Sequence, residues 1–153
     1  RMEKRQFPVG VIQICWMAFA QGNIGKAVQL ATSDSFNEIK SSALHLLKNI
    51  SNMEINDIIA TVKAVSEFKL DIQDYLDFLA VWYRDILYFK ATRDSNGLVF
   101  KDEVNVITDQ INKSSYEGIE NILKGLQTAK TRLNANVNFD MAMELLLLTM
   151  KEN

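Results

Sequence analysis

Residues 71–89 read DIQDYLDFLAVWYRDILYF, and this stretch decides the fold. One side of it carries apolar residues at helical spacing, namely Ile72, Tyr75, Leu76, Leu79, Trp82, Tyr83, Ile86 and Phe89. The other sides are also largely apolar, with Phe78, Val81, Leu87 and Tyr88. A helix that is apolar on most sides must be surrounded by other elements. We therefore expect a central, buried helix with Asp71 as its N-cap.

Shorter amphipathic helices are predicted on both sides of this one. Three of them are expected to start at capping boxes, which pair Ser35 with Glu38, Ser51 with Glu54, and Ser114 with Glu117. Residues 94–101 are predicted to form a loop. One Pro and six Gly in 153 residues favour long helices, and no long alternating strand pattern occurs. The predicted fold class is all-α, a helical bundle.

Composition restricts the class of protein. The hydrophobic fraction is 48% and the charged fraction is 24%, which is typical of a globular domain. With 17 basic and 19 acidic residues the net charge is −2. This charge disfavours a nucleic-acid-binding domain, because affinity for the phosphate backbone comes from cationic side chains. Cys15 is the only cysteine, which fits a reducing, cytoplasmic location. No apolar run reaches the roughly 18 residues that a membrane span needs. The first eight residues lack an initiator Met and are interpreted as a cut inside a longer protein.

No catalytic, cofactor or metal site is predicted. Residues 20–27 approach a phosphate-binding loop, but Ala20 stands where its first Gly belongs and Ala27 where its hydroxyl belongs. His45 is the only histidine and lies on the polar face of its helix, where we expect it to be solvated. One His and one Cys cannot form a zinc site of the usual type. We therefore expect a domain that works by packing against other proteins.

Two features point to protein contacts. Arg84 and Asp85 lie inside the most buried helix, where a charge needs a partner. They form either an internal ion pair that fixes helix packing or a contact with a neighbouring subunit, and both interpretations remain open at this point.

The last helix, predicted from Phe139 to about Lys151 with Asn138 as its cap, carries two apolar stripes. The first is expected to enter the core and comprises Phe139, Ala142, Met143, Leu146, Leu147 and Met150. One domain can hardly bury a second stripe on a terminal helix, and surplus apolar surface usually marks an interaction site. We therefore hypothesise that the second stripe packs against a neighbouring subunit through Met141, Leu145 and Leu148.

Three stretches together resemble the AAA+ clamp-loader family. Residues 18–30, AFAQGNIGKAVQL, are similar to the end of the lid subdomain, with Gly22, Gly25 and Lys26 in its motif. Residues 82–87, WYRDIL, resemble the Trp-x-Arg-Asp-x-Leu pattern of the family's C-terminal helical domain, with Trp82 as its first residue. The third stretch contains Asn134, Asn136 and Asn138, followed by Glu144 and a Leu run. It resembles the delta-prime members of bacterial DNA polymerase III. The resemblance covers residues 9–150.

The resemblance implies that residues 1–33 end an AAA+ lid and that residues 34–153 form a helical collar domain for oligomerisation. Clamp loaders are five-subunit rings that open the sliding clamp and place it on primed DNA. The implied partners are the delta and gamma/tau subunits, with DNA contacted only through the complex and no membrane involved. Gly25 stands where ATP-using members carry a sensor arginine, which agrees with a non-hydrolysing member.

Two alternatives remain open. One is the collar of the ATP-hydrolysing gamma/tau subunit. The other is an unrelated helical adaptor or a ligand-binding domain of a regulator. A large polar internal cavity would favour a ligand-binding domain. A filled core with an apolar outer face on the last helix would favour the collar.

Overall fold

The computed structural model describes residues 37–153. The predictions for the lid (residues 1–33), including Gly22, Gly25 and Lys26, lie outside the described residues, as do those for Cys15 and Ser35. Within residues 37–153 the chain forms α-helices joined by 3₁₀ turns and short loops, without a strand. We number the helices α1 Asn37–Asn49, α2 Ile55–Val65, α3 Ile72–Thr92, α4 Val104–Lys113, α5 Tyr116–Asn134 and α6 Phe139–Glu152. The predicted all-α bundle is confirmed.

Helix α3 is the centre of the bundle, as its sequence predicts. It packs against α1, α4 and α5, while α6 packs against α5, α2 and the 3₁₀ turn Ile50–Asn52. Thirteen of the 21 residues of α3 are buried, and Trp82 and Tyr75 are among the largest fully buried side chains. The core therefore continues around α3 on several sides, which explains why this helix has so little polar surface.

Two of the predicted helix starts are corrected by the structure. Helix α2 is capped by Glu54, whose backbone N–H donates to Asp57 Oδ2 at 2.9 Å, and not by a box between Ser51 and Glu54. Ser51 instead lies in the 3₁₀ turn Ile50–Asn52, because Met53 after it is extended and buried in the core. Helix α5 is capped by Ser115, whose hydroxyl accepts from the Gly118 N–H at 2.9 Å.

Ser114, the residue predicted to cap α5, ends α4 instead, since its backbone is already extended. Asp71 is the N-cap of α3 by position, but its side chain makes no capping hydrogen bond. The 3₁₀ turn Ser66–Asp71 leads directly into α3. Asn138 caps α6 as predicted, with its side-chain oxygen accepting from the Met141 N–H at 3.0 Å.

The connection between α3 and α4 is part of the core rather than a solvated loop. It contains the 3₁₀ turns Ser95–Gly97 and Lys101–Glu103. Between them, Leu98 and Phe100 are buried. The Phe100 ring lies 5.0 Å from the Phe78 ring and 5.3 Å from the Trp82 ring, centroid to centroid. The loop therefore closes the bundle over one side of α3.

Candidate subunit interface

Helix α6 separates its apolar residues onto two sides. The core stripe is buried, as predicted, with every member inside the bundle: Phe139, Ala142, Met143, Leu146, Leu147 and Met150. The other three apolar residues are exposed: Met141 by 58%, Leu145 by 42% and Leu148 by 36%. At 3.6 residues per turn these three lie on the side of the helix opposite the core stripe. We call Met141, Leu145 and Leu148 the outer stripe.

Neighbouring surface shows that the outer stripe is a particular feature of α6. Helix α5 packs along α6 and is also partly open to solvent. Its exposed residues are all polar: Glu117, Asn121, Lys124, Gln127, Thr128, Thr131 and Asn134. The outer side of α5 is therefore polar, whereas α6 exposes a methionine and two leucines. Contiguous exposed apolar surface of this kind indicates a binding surface.

Further apolar residues are exposed at the end of the domain where α6 begins. The turn Ser66–Asp71 lies beside this end, because Lys69 Nζ is 5.3 Å from the centroid of the Phe139 ring. Leu70 in that turn is fully exposed, and Val137 just before α6 is also exposed. Helix α2 adds a separate exposed pair, Ile55 and Ile59. The outer stripe is thus one of several apolar surfaces that are exposed within residues 37–153.

Arg84 and Asp85 form the internal ion pair that was one of the two interpretations. Arg84 Nη1 lies 2.9 Å from Asp85 Oδ1, and it also donates to the Gly97 carbonyl at 3.3 Å. Asp85 Oδ2 accepts from the backbone N–H groups of Val99 at 2.9 Å and Phe100 at 2.8 Å. The pair therefore fastens the α3–α4 loop onto α3.

Burial supports the internal interpretation for Asp85, because its side chain is 0% exposed. Burial raises the pKa of Asp85, while the hydrogen bonds from Phe100 and Val99 and the charge of Arg84 act in the opposite direction. The Arg84 side chain is 18% exposed, and its Nη1 contacts both Asp85 Oδ1 and the Gly97 carbonyl.

Trp82 connects three helices. Its indole Nε1 donates to Gln110 Oε1 on α4 at 2.9 Å. Gln110 Nε2 in turn donates to the Leu47 carbonyl on α1 at 2.9 Å. Trp82 is fully buried, so this relay satisfies an indole N–H that water cannot reach. In the Trp-x-Arg-Asp motif, then, Trp82 ties α1, α3 and α4 together and the Arg-Asp pair holds the following loop.

Gln110→Leu is expected to lower the free energy of unfolding by about 2 kcal/mol, because it leaves the buried Trp82 N–H and the Leu47 carbonyl without partners. Urea unfolding followed by circular dichroism measures this change. Gln127→Leu on the exposed side of α5 is the matched control and should change stability by less than about 0.5 kcal/mol. Equal effects of the two substitutions would contradict the structural role of Gln110.

Sequence reasoning missed a second buried charge pair. Lys130 Nζ on α5 contacts Asp77 Oδ1 on α3, and Asp77 is buried. Burial lowers the pKa of Lys130, and the negative charge of Asp74 opposes this shift. The two residues are 53 positions apart, so no local pattern could have indicated the pair. The pair fixes the register of α5 on α3.

The Asn-x-Asn-x-Asn motif forms the tight turn between α5 and α6. Asn134 Oδ1 accepts a hydrogen bond from Gln73 Nε2 on α3 at 3.3 Å. Asn136 has a left-handed backbone with φ of 58°, a conformation that Asn tolerates better than most residues. Asn138 caps α6. The three asparagines thus have separate structural roles, and Glu144 of the same motif lies half-buried on α6.

A groove of about 700 Å³ lies between α1 and α2. Its polar lining includes Ser41, His45, Asn49 and Asp57. His45 is exposed, as predicted. This groove is open to solvent and is not the polar internal cavity that would favour a ligand-binding domain. Across residues 37–153, no group of His, Cys, Asp and Glu could hold a metal ion, and no helix in that range is long and apolar enough to span a membrane.

Comparison with known proteins places the bundle among replication proteins. A family model described as DNA polymerase III, delta subunit, C terminal, matches residues 36–152. One curated relative, DNA polymerase III subunit delta' of Bacillus subtilis (strain 168), is 25% identical over 139 residues. The match covers 89% of this chain and 42% of that relative, so the chain spans less than half of the relative's length. No solved structure matches the chain.

Proposed function

The chain belongs to the family of C-terminal domains of the DNA polymerase III delta subunit, and from this premise we propose that it is the collar domain of a delta-prime subunit in a bacterial clamp loader. The observation that carries the proposal is the extent of the family match, which covers nearly the whole helical bundle. The relative that matches by sequence is itself a delta' subunit. The domain acts by oligomerising with the delta and gamma/tau subunits, and it reaches DNA only through the assembled complex in the cytoplasm.

In this function the outer stripe of α6 supplies a contact with a neighbouring subunit. Met141, Leu145 and Leu148 support this role because they are apolar, exposed and directed away from the domain's own core. Helices that pack side by side between two subunits bury such stripes and gain affinity from the apolar area removed from water.

Residues 1–33 are proposed to be the end of the AAA+ lid, with the collar running from residue 34 to 153. Gly22, Gly25 and Lys26 support this division, because they match the motif at the end of the family's lid subdomain. The runner-up within the family is the collar of gamma/tau, which would pair with the same kinds of subunit.

The chain is expected neither to bind nor to hydrolyse ATP. Ala20 and Ala27 replace the Gly and the hydroxyl of a phosphate loop, and Gly25 stands in the place of the sensor arginine. Isothermal titration calorimetry with magnesium-ATP checks this prediction. Binding with micromolar affinity would contradict the assignment to a non-hydrolysing subunit.

Co-expression of this chain with the delta and gamma/tau subunits of the same organism tests the proposed function. We expect an affinity-tagged chain to retain both subunits through size-exclusion chromatography as one complex. The delta and gamma/tau subunits must associate with each other in the same experiment, which controls for their folding. If the delta and gamma/tau subunits associate with each other but the co-expressed tagged chain is absent from their complex, the proposal is contradicted.

A further inference from the structure

The outer stripe of α6 has a row of acidic residues beside it. Asp140 and Glu144 each directly precede a member of the stripe, and Glu152 follows Leu148 by one helical turn. The only cation on the helix is Lys151. Asp140, Glu144, Leu148 and Glu152 are four positions apart, so they form one row along the helix surface. The apolar stripe is therefore bordered by negative charge.

These carboxylates form no ion pair within the described part of the chain. Across residues 37–153, Asp140, Glu144 and Glu152 take part in no salt bridge. The same region pairs other surface acids locally, as Glu120 with Lys124 and Asp109 with Lys113, each at 2.9 Å. The acidic row of α6 is thus available to a cation from another molecule.

We propose that the outer face of α6 binds a helix of a neighbouring clamp-loader subunit, an inference that rests on the proposed function. The partner helix carries an apolar stripe that is flanked by Lys or Arg residues. Burial of Leu145 and Leu148 against that stripe supplies affinity. Opposite charges at the rim of the contact orient the two helices and raise the association rate.

Charge complementarity also selects between a neighbouring subunit and a second copy of this chain. In a two-fold dimer the same patch meets itself. Each copy of α6 brings three acidic residues and one Lys to such a contact. Self-pairing would leave most of the negative charge uncompensated, and like charges at an interface oppose association. A basic-flanked helix from a different subunit satisfies both the apolar and the charged part of the face.

Charge reversal tests the inference. The variant Asp140→Lys with Glu144→Lys is compared with Asp102→Lys with Glu117→Lys, which changes the net charge equally at exposed positions outside α6. Both pairs include one residue in the first turn of a helix, so both lose a similar helix-dipole contribution. Association with a preformed delta–gamma/tau complex is followed by biolayer interferometry at 50 and 300 mM NaCl.

We expect the α6 charge reversal to slow association about tenfold relative to wild type at low salt. This difference in association rate should shrink at high salt, because ions screen the charges at the rim of the contact. The association rate of the control variant should stay within about twofold of wild type. Equal association rates for the two variants would overturn the inference while leaving the proposed function in place. Self-association of the wild-type chain that Leu148→Asp abolishes would also overturn it. If the wild-type chain does not associate with the complex at either salt concentration, the proposed function itself fails.

Discussion

Leu145→Asp combined with Leu148→Asp is expected to weaken assembly with the delta and gamma/tau subunits by about 100-fold or more. Both side chains belong to the outer stripe, and neither contributes to the buried stripe of α6. Two carboxylates in an apolar contact would have to be desolvated without partners, and the acidic row beside them would add repulsion. A loss of about 3 kcal/mol of binding free energy corresponds to this factor.

The same double substitution should leave the domain folded. The two side chains are 42% and 36% exposed, so the carboxylates remain in water in the free domain. We expect unchanged helical content by circular dichroism and a melting temperature within about 3 °C of wild type, since exposed substitutions usually cost little. Gln127→Asp with Thr131→Asp on α5 is the matched control, because it also adds two charges to the exposed side of a helix.

Two outcomes would contradict the role of the outer stripe. If the double variant unfolds, both stripes of α6 stabilise the domain and the interface lies elsewhere. If it assembles as wild type does, the outer stripe is not part of the contact. The control on α5 should assemble normally, which separates loss of the interface from a general effect of added charge.

Arg84→Ala is expected to lower the free energy of unfolding by about 3 kcal/mol, because it leaves the carboxylate of Asp85 buried without its cationic partner. Asp85 keeps the N–H groups of Val99 and Phe100, but the substitution also removes the Arg84 bond to the Gly97 carbonyl. For a domain of this size the melting temperature should fall by about 10 °C. Thermal and urea unfolding measure both quantities.

An exposed ion pair provides the control for this substitution. Lys113→Ala breaks a pair with Asp109 whose side chains are about two-thirds exposed, and it should cost less than about 0.5 kcal/mol. If the melting temperature of Arg84→Ala is as close to that of the wild type as the melting temperature of Lys113→Ala is, the internal pair does not fasten the α3–α4 loop.

The destabilisation by Arg84→Ala should also depend on pH. Burial already raises the pKa of Asp85, and Arg84 lowers it, so removing Arg84 raises the pKa of Asp85 further. A carboxyl with a raised folded-state pKa contributes its full stability below its unfolded pKa and loses it as the pH rises through the folded pKa. The difference between variant and wild type should therefore be largest at neutral pH and should shrink in acid, where Asp85 is neutral in both proteins. A deficit that stays constant with pH would contradict this coupling.

Periodicity alone predicted the parts of the fold that depend on one helix. The apolar surface of residues 71–89 indicated a buried central helix, and the structure places α3 at the centre of the bundle. The two stripes of α6 were separable for the same reason, because residue spacing determines which side of a helix a side chain occupies. Helix starts were less reliable: the burial of Met53, a tertiary effect, moved the cap of α2 from Ser51 to Glu54.

Contacts between distant residues could not be predicted from one sequence. Trp82 was recognised as part of a motif, but its partner Gln110 is 28 positions away on another helix. The Asp77–Lys130 pair and the burial of Phe100, which lies in the α3–α4 loop and packs against α3, also depend on how the helices pack. The Arg84–Asp85 ion pair was predicted as one of two possibilities. A buried charge requires a partner, but the sequence alone does not say whether that partner lies in the same domain or in a neighbouring subunit.

The most direct test of the central claim is site-specific cross-linking within the assembled loader. Leu145 is replaced by a photo-reactive phenylalanine analogue, and the same analogue is placed at Gln127 on the polar side of α5 as a control. Mass spectrometry then identifies the cross-linked peptides. We predict that position 145 cross-links to the C-terminal helical domain of a neighbouring delta or gamma/tau subunit and that position 127 does not. An intact complex in which position 145 forms no cross-link to another subunit, while position 127 does, would contradict the assignment of the α6 face as the subunit interface.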